Sequence, residues 1–233
     1  MNMRDLLRVF GVVVCLGLSL SMSLFAQDSK MIADSQVKNK GQNMRVYIVH
    51  GFDSSPQKNW FAWLGSKLEA KGVNVEILAM PNPQNPNLQE WIKMLDSNVE
   101  LGSETYLVGH SLGCITILQY LQDKAVNQAN KKSAMIGGFV LVSGFYEPLS
   151  ILPQLDGFTK NPLDFAVLQA ISPNRVVISA KDDSIVPTDL SKKLSDKLNA
   201  KFIQTQNGGH FMESDGYTEM PLVLENLEAI FKK

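Results

Sequence analysis

The chain has 233 residues, 45% hydrophobic and 19% charged, with a formal net charge of −1. That length and balance suit a single globular domain with a sizeable core. Lys131-Lys132 and Lys192-Lys193 are isolated pairs, and with no basic stripe the sequence argues against nucleic acid as a partner.

In chain order, the first segment differs from all that follows. Arg4 and Arg8 precede the apolar run from Val9 to Leu20, and then comes Ser21-Met22-Ser23-Leu24-Phe25-Ala26. A positive start, a short apolar stretch and a small residue at the cut make residues 1–26 a signal peptide, with export to the periplasm or medium as the expected destination. Cleavage after Ala26 or after Ser23 fits the pattern. Left uncut, Leu6 to Ala26 is long enough to anchor the chain in a membrane. Residues 27–43 are polar and aperiodic and read as a flexible linker. Once the leader is removed, Cys114 is the one remaining cysteine, so no internal disulfide can form and a buried filler role is expected.

From Met44 strands and helices alternate. Arg45–Val49 reads as a strand, Trp60–Lys71 as a helix, Val73–Leu78 as a strand and Leu88–Val99 as an amphipathic helix. Tyr106–Val108 is a short strand leading into Cys114–Gln122, an apolar periodic helix. Phe139–Val142 and Val176–Ser179 have strand character. Thr188–Leu198 reads as a helix, Lys201–Thr205 as the last strand and Pro221–Phe231 as a closing helix. Repeated β-α-β order with continuously apolar strands predicts a six-stranded, mainly parallel sheet covered on both faces.

Between the third strand and its helix stands Gly109-His110-Ser111-Leu112-Gly113. A Gly-x-Ser-x-Gly that ends a strand and opens a helix is the nucleophile elbow of α/β-hydrolases, which makes Ser111 the candidate nucleophile. A serine hydroxyl needs an adjacent base. The chain has three histidines, His50, His110 and His210, and the serine–acid–histidine order of this fold selects His210. His50 and His110 are then structural. The acid belongs after the penultimate strand, where Asp182 and Asp183 compete. The family pattern sets it four residues before the proline, here Pro187, and so prefers Asp183, leaving Asp182 a turn or capping role. The candidate oxyanion donors are the backbone N–H groups of Leu112 and of Phe52, in the loop after the first strand.

Together these residues resemble the YdeN and retinoblastoma-binding protein 9 group of small serine hydrolases. The likeness runs from Val46 to about Phe231. It includes Asn59-Trp60 with Trp63, Met80-Pro81-Asn82-Pro83, Trp91, Val140-Leu141-Val142-Ser143 and Gly209-His210-Phe211. It implies a compact α/β-hydrolase domain over residues 44–233 with a minimal cap, acting through a Ser-His-Asp triad without a cofactor. The leader and linker depart from that group's intracellular pattern. Glu147 to Ser172 is too short for a large lid, so an open site is expected. Phe52, Trp60, Met80, Phe145, Ile185 and Phe211 could wall it or pack in the core. The expected substrate is a small acyl ester. A silent binding module on the same fold, or an acyltransferase using the same residues, are the alternatives.

Overall fold

Six short aliphatic and β-branched runs form one sheet: β1 Arg45–Val49, β2 Asn74–Leu78, β3 Thr105–His110, β4 Gly138–Val142, β5 Asn174–Ala180 and β6 Lys201–Thr205. Their order is β2-β1-β3-β4-β5-β6 and every pairing is parallel. The sheet is thus wholly rather than mainly parallel. This computed structural model describes residues 43–127 and 135–232, which belong to one compact unit, Asn43–Lys233. The expected leader, 1–26, and the linker up to residue 42 lie outside the described residues.

Between the strands run α1 Phe61–Glu69, α2 Leu88–Asn98, α3 Leu112–Asn127, α4 Phe165–Ile171 and α5 Thr188–Leu198, and α6 Pro221–Phe231 follows β6. Successive side chains on a strand point to opposite faces, and the two cores follow from that alternation. Val46, Ile48, Val108, Val140 and Ile178 pack with Phe61 and Leu64 of α1 and Leu227 of α6. Tyr47, Val49, Leu107, Leu141 and Val177 pack with Trp91 of α2, Leu118 of α3 and Leu194 of α5. Trp60 and Phe61 on one side, and Trp91 and Phe158 on the other, are fully buried. Each such aromatic buries about 150–250 Å² and contributes several kcal/mol at roughly 25 cal/mol per Å².

Two local signals set helix starts. The Asn87 side chain accepts from the Gln89 and Glu90 N–H groups ahead of α2, and Asp164 accepts from Val167 N–H ahead of α4. Sequence periodicity did not reveal α4, nor the 3-10 turn Pro153–Phe158. Each is too short to display a repeat, yet Leu155, Phe158, Leu168 and Ile171 bury against the core. The strand β3 also runs two residues further than its apolar stretch, because Gly109 and His110 still pair with Leu141 and Val142 of β4.

β1 is followed in the chain by β2 on one side, whereas β3 lies on its other side. Strand order therefore reverses at β1, and a crevice opens between the carboxyl ends of β1 and β3, the usual ligand position in open α/β sheets.

Candidate active site

Ser111 follows the last residue of β3, and its N–H still donates to Val142 O at 2.9 Å, so the sheet ladder carries on to the serine itself. Its backbone then turns into the left-handed region, φ 53°, a conformation that costs a non-glycine residue energy and persists only where the surroundings enforce it. The enforcement is close packing. A Cβ on Gly113 would lie 2.2 Å from Val49 O, so α3 can start against β1 only with glycine there. On the other side, a Cβ on Gly51 would stand 3.0 Å from Ser111 Cβ and 3.2 Å from His110 O. The loop after β1 is thereby drawn tight against the serine.

Asp183 and His210 meet beside it. His210 Nδ1 lies 2.9 Å from Asp183 Oδ2 and 3.1 Å from Oδ1. A carboxylate only accepts, so Nδ1 carries the proton and Nε2 is left as the basic nitrogen. Oδ1 of Asp183 also accepts from the N–H groups of Ile185 and Val186, both at 2.9 Å, and Oδ2 accepts from the Ser143 hydroxyl at 2.7 Å. Burial pushes the Asp183 carboxyl up. The hydrogen bond and charge of His210, the Val186 N–H and the Ser143 hydroxyl outweigh it and hold the carboxyl below its usual range. Asp182 is exposed and accepts instead from Gly209 N–H at 2.9 Å, anchoring the histidine's loop. The imidazole thus meets Asp183, and Asp182 makes a turn hydrogen bond.

Ser111 and His210 line one cleft of about 180 Å³ with Gly51, Phe52 and His110. Leu112 is the first residue of α3, so its N–H is one of those a helix cannot satisfy internally. Phe52 is fixed from both neighbours. Asp53 N–H donates to Pro83 O at 2.9 Å, and Gly51 O accepts from His50 Nδ1 at 2.8 Å. His50 Nε2 in turn accepts from Met80 N–H at 3.1 Å. Those two bonds demand the neutral Nδ1–H form, and burial lowers the His50 pKa accordingly.

Of the residues that could wall the site or pack in the core, most pack in the core. Phe52 lines the cleft, but Trp60, Met80, Phe145 and Phe211 are buried in the cores, and half-buried Ile185 packs against one of them. Trp60 even turns its indole N–H inward, to Phe211 O at 3.1 Å. The rest of the lining is mostly polar by residue, with Asp53, Ser54, Lys58, Asn59, Glu213 and Ser214 beside Met212. Cys114 is a free, fully buried thiol that donates to Val142 O at 3.3 Å, and burial pushes its pKa up, in keeping with a filler.

Ser143 is a site residue to which the sequence reading attached no role. It stands after β4 as Ser111 stands after β3, its N–H donates to Ile178 O, and its φ of 50° is also left-handed. The parallel between the two strand ends was the signal available for it.

Residues 46–229 match the family described as serine hydrolase. The chain belongs to that family. It is 40% identical over 190 residues to YdeN of Bacillus subtilis (strain 168), spanning 81% of this chain and 97% of that one. The serine hydrolase RBBP9 of Rattus norvegicus is 22% identical over 158 residues, 67% of this chain and 80% of its own. The crystal structure of B. subtilis YdeN superposes with a TM-score of 0.77, covering 82% of this chain and 100% of that one. The six-stranded parallel sheet is therefore the α/β-hydrolase fold, and the protein is a hydrolase.

Proposed function

We propose that this serine hydrolase cleaves small carboxylic esters through Ser111, His210 and Asp183. The observation that carries the reading is the Asp183–His210 hydrogen bond in the cleft that Ser111 also lines. Ser111 Oγ attacks the ester carbonyl while His210 Nε2 takes its proton. Asp183 holds the imidazole in the required tautomer and stabilises the imidazolium without itself taking the proton. Negative charge on the carbonyl oxygen is held by the N–H groups of Leu112 and Phe52. His210 then gives the proton to the departing alcohol, leaving an acyl group on Ser111. Water, deprotonated by the same nitrogen, releases the acid and restores the serine.

The cleft volume of about 180 Å³ and its mostly polar lining residues favour short acyl chains and hydrophilic esters over long lipids. The leader sequence supports an exported enzyme, which the N-terminal sequence of the mature protein would test. The central experiment is labelling with a fluorophosphonate, followed by hydrolysis of p-nitrophenyl esters of increasing chain length. Wild type should label and prefer acetate or butyrate, and Ser111→Ala should do neither. Folded wild type that takes no label would overturn the reading in favour of a silent binding module. Transfer of the acyl group to an added alcohol in preference to water would mark an acyltransferase.

A further inference from the structure

All three histidines stand at this edge of the sheet, and the proposed chemistry uses one. His110 is the residue before the nucleophile. Its side chain is 2% exposed, and its Nε2 lies 2.8 Å from the backbone carbonyl oxygen of His210. A carbonyl can only accept, so Nε2 carries a proton and donates it. The other nitrogen, Nδ1, is buried with no hydrogen-bond partner, so a proton there would have no acceptor and the ring is neutral. The ring also packs on that of His210, with centroids 4.9 Å apart, and is boxed in behind by Trp60 and Phe61 at 6.0 and 5.8 Å.

We propose that His110 is the positioning residue for the base, fixing the distance between nucleophile and imidazole by bridging the residue before Ser111 to the carbonyl of His210. The inference rests on the Ser111–His210 reading of the site.

The path is short. From Ser111 one peptide bond leads to His110, whose ring leads by one hydrogen bond to His210. The loop of His210 has further restraints, since Gly209 N–H donates to Asp182, His210 N–H to Asp215 and Phe211 O accepts from Trp60. Those partners come from the β5–α5 loop, from the loop's own far end and from the residue preceding α1. None of them belongs to the elbow. The His110 bond is the one that ties the base to the nucleophile's own turn, so it sets their separation while the others set the loop's attitude. A charged His110 would present a second cation to the imidazolium that forms in the reaction. Burial and the charge of His210 lower the His110 pKa to about 3, which keeps it neutral.

The test compares His110→Gln, whose amide N–H₂ reaches about as far as Nε2, with His110→Phe, which fills the space and donates nothing. Displacement of a reacting group by about 1 Å costs up to about 100-fold. The Phe variant should therefore lose roughly 10- to 100-fold in kcat and in fluorophosphonate labelling rate, with KM within about twofold of wild type. The Gln variant should recover to within about fivefold. Equal losses in both, a change confined to KM, or an unchanged kcat in the Phe variant would each overturn the proposal. Should the Phe variant fail to fold by circular dichroism, His110→Asn takes its place, because its shorter amide falls short of the carbonyl. Wild type and Ser111→Ala are labelled alongside. Unlabelled wild type sinks the reading of the site, whereas labelled wild type with a fully active Phe variant sinks the bridging role alone.

Discussion

The two edges of the sheet are built on opposite terms. Among the described residues seven non-glycine positions have a left-handed backbone, and six of them, Asp53, Asn59, Asn82, Ser111, Ser143 and Phe211, lie in segments leaving the carboxyl ends of strands. The seventh, Asn199, ends α5 on the amino side, a routine helix-capping use. The amino edge devotes its polar groups to closing chain ends. The Arg175 guanidinium donates to the carbonyls of Gln169, Ser172 and Asn199, and Asn174 donates to Gly137 O. One edge holds strain against its own stability and carries the serine and its partners. The other is relaxed and closes the structure. Strain of this kind gathers where surrounding packing over-determines it, and active sites are where it is retained.

Variants at the carboxyl edge should therefore change rates, and variants at the amino edge should change stability. The largest effect is expected from Asp183→Asn, which keeps the shape but lets the imidazole adopt the wrong tautomer. A fall in kcat of about 10⁴-fold is expected, against less than about tenfold for Asp182→Asn, measured on a short p-nitrophenyl ester. Similar losses in the two would mean that the acid is misassigned. Next comes Gly51→Ala. Its methyl would press on Ser111 Cβ and His110 O, and displacement of the oxyanion loop should lower kcat by about 100-fold. Ser143→Ala removes one acceptor bond from Asp183 worth about 1 kcal/mol, or roughly fivefold in kcat. At the opposite edge, Arg175→Met should leave kcat/KM unchanged while lowering stability by about 1–3 kcal/mol in urea unfolding, since the part-buried bonds to the Gln169 and Ser172 carbonyls are lost. Loss of activity without loss of stability there would break the division.

The same division governs what could be read in advance. The elbow, the order of strands and helices and the choice of His210 were legible because each rests on local pattern: an apolar run, a glycine pair, a fixed chain order. The helices α5 and α6 and the strands β1 and β6 match their expected bounds. The mostly polar lining was not legible. Trp60, Phe145 and Phe211 have side chains suited equally to a wall or a core, and only helix packing on the sheet decides between them, on the α1 and α6 face for Trp60 and Phe211 and on the opposite face for Phe145. Ser143 was hidden for a related reason. Its bond to Asp183 spans 40 positions in sequence, and no periodicity encodes a contact made between the ends of two strands.

Acid offers the subtlest way to set one edge against the other, because His50, His110 and His210 all lie at the carboxyl edge and the chain has no other histidine. Burial lowers the folded-state pKa of His50, and that of His110 to about 3, where the nearby His210, His50 and Asp183 also act on it. Both values lie below the unfolded reference of about 6.5. As pH falls below about 6.5 the unfolded chain takes up protons that the folded chain refuses, so stability is lost progressively down to about pH 3 and is fully present above pH 6.5. Asp183, held below its usual range, contributes stability that disappears only when pH falls toward its own lower value, so from about pH 6.5 to 4.5 the histidines dominate these three terms. Each fully refused proton steepens the dependence by up to about 1.4 kcal/mol per pH unit. Urea unfolding of His110→Gln across pH 7 to 4 should give a shallower slope than wild type, and native-state hydrogen exchange should show the loops after β1, β3 and β6 opening in acid before the amino ends of β4 and β5. Equal slopes in the two proteins would mean that His110 is hydrated or paired in a way that lets it charge at the pH of a free imidazole, and the neutral bridge to His210 would fall with it.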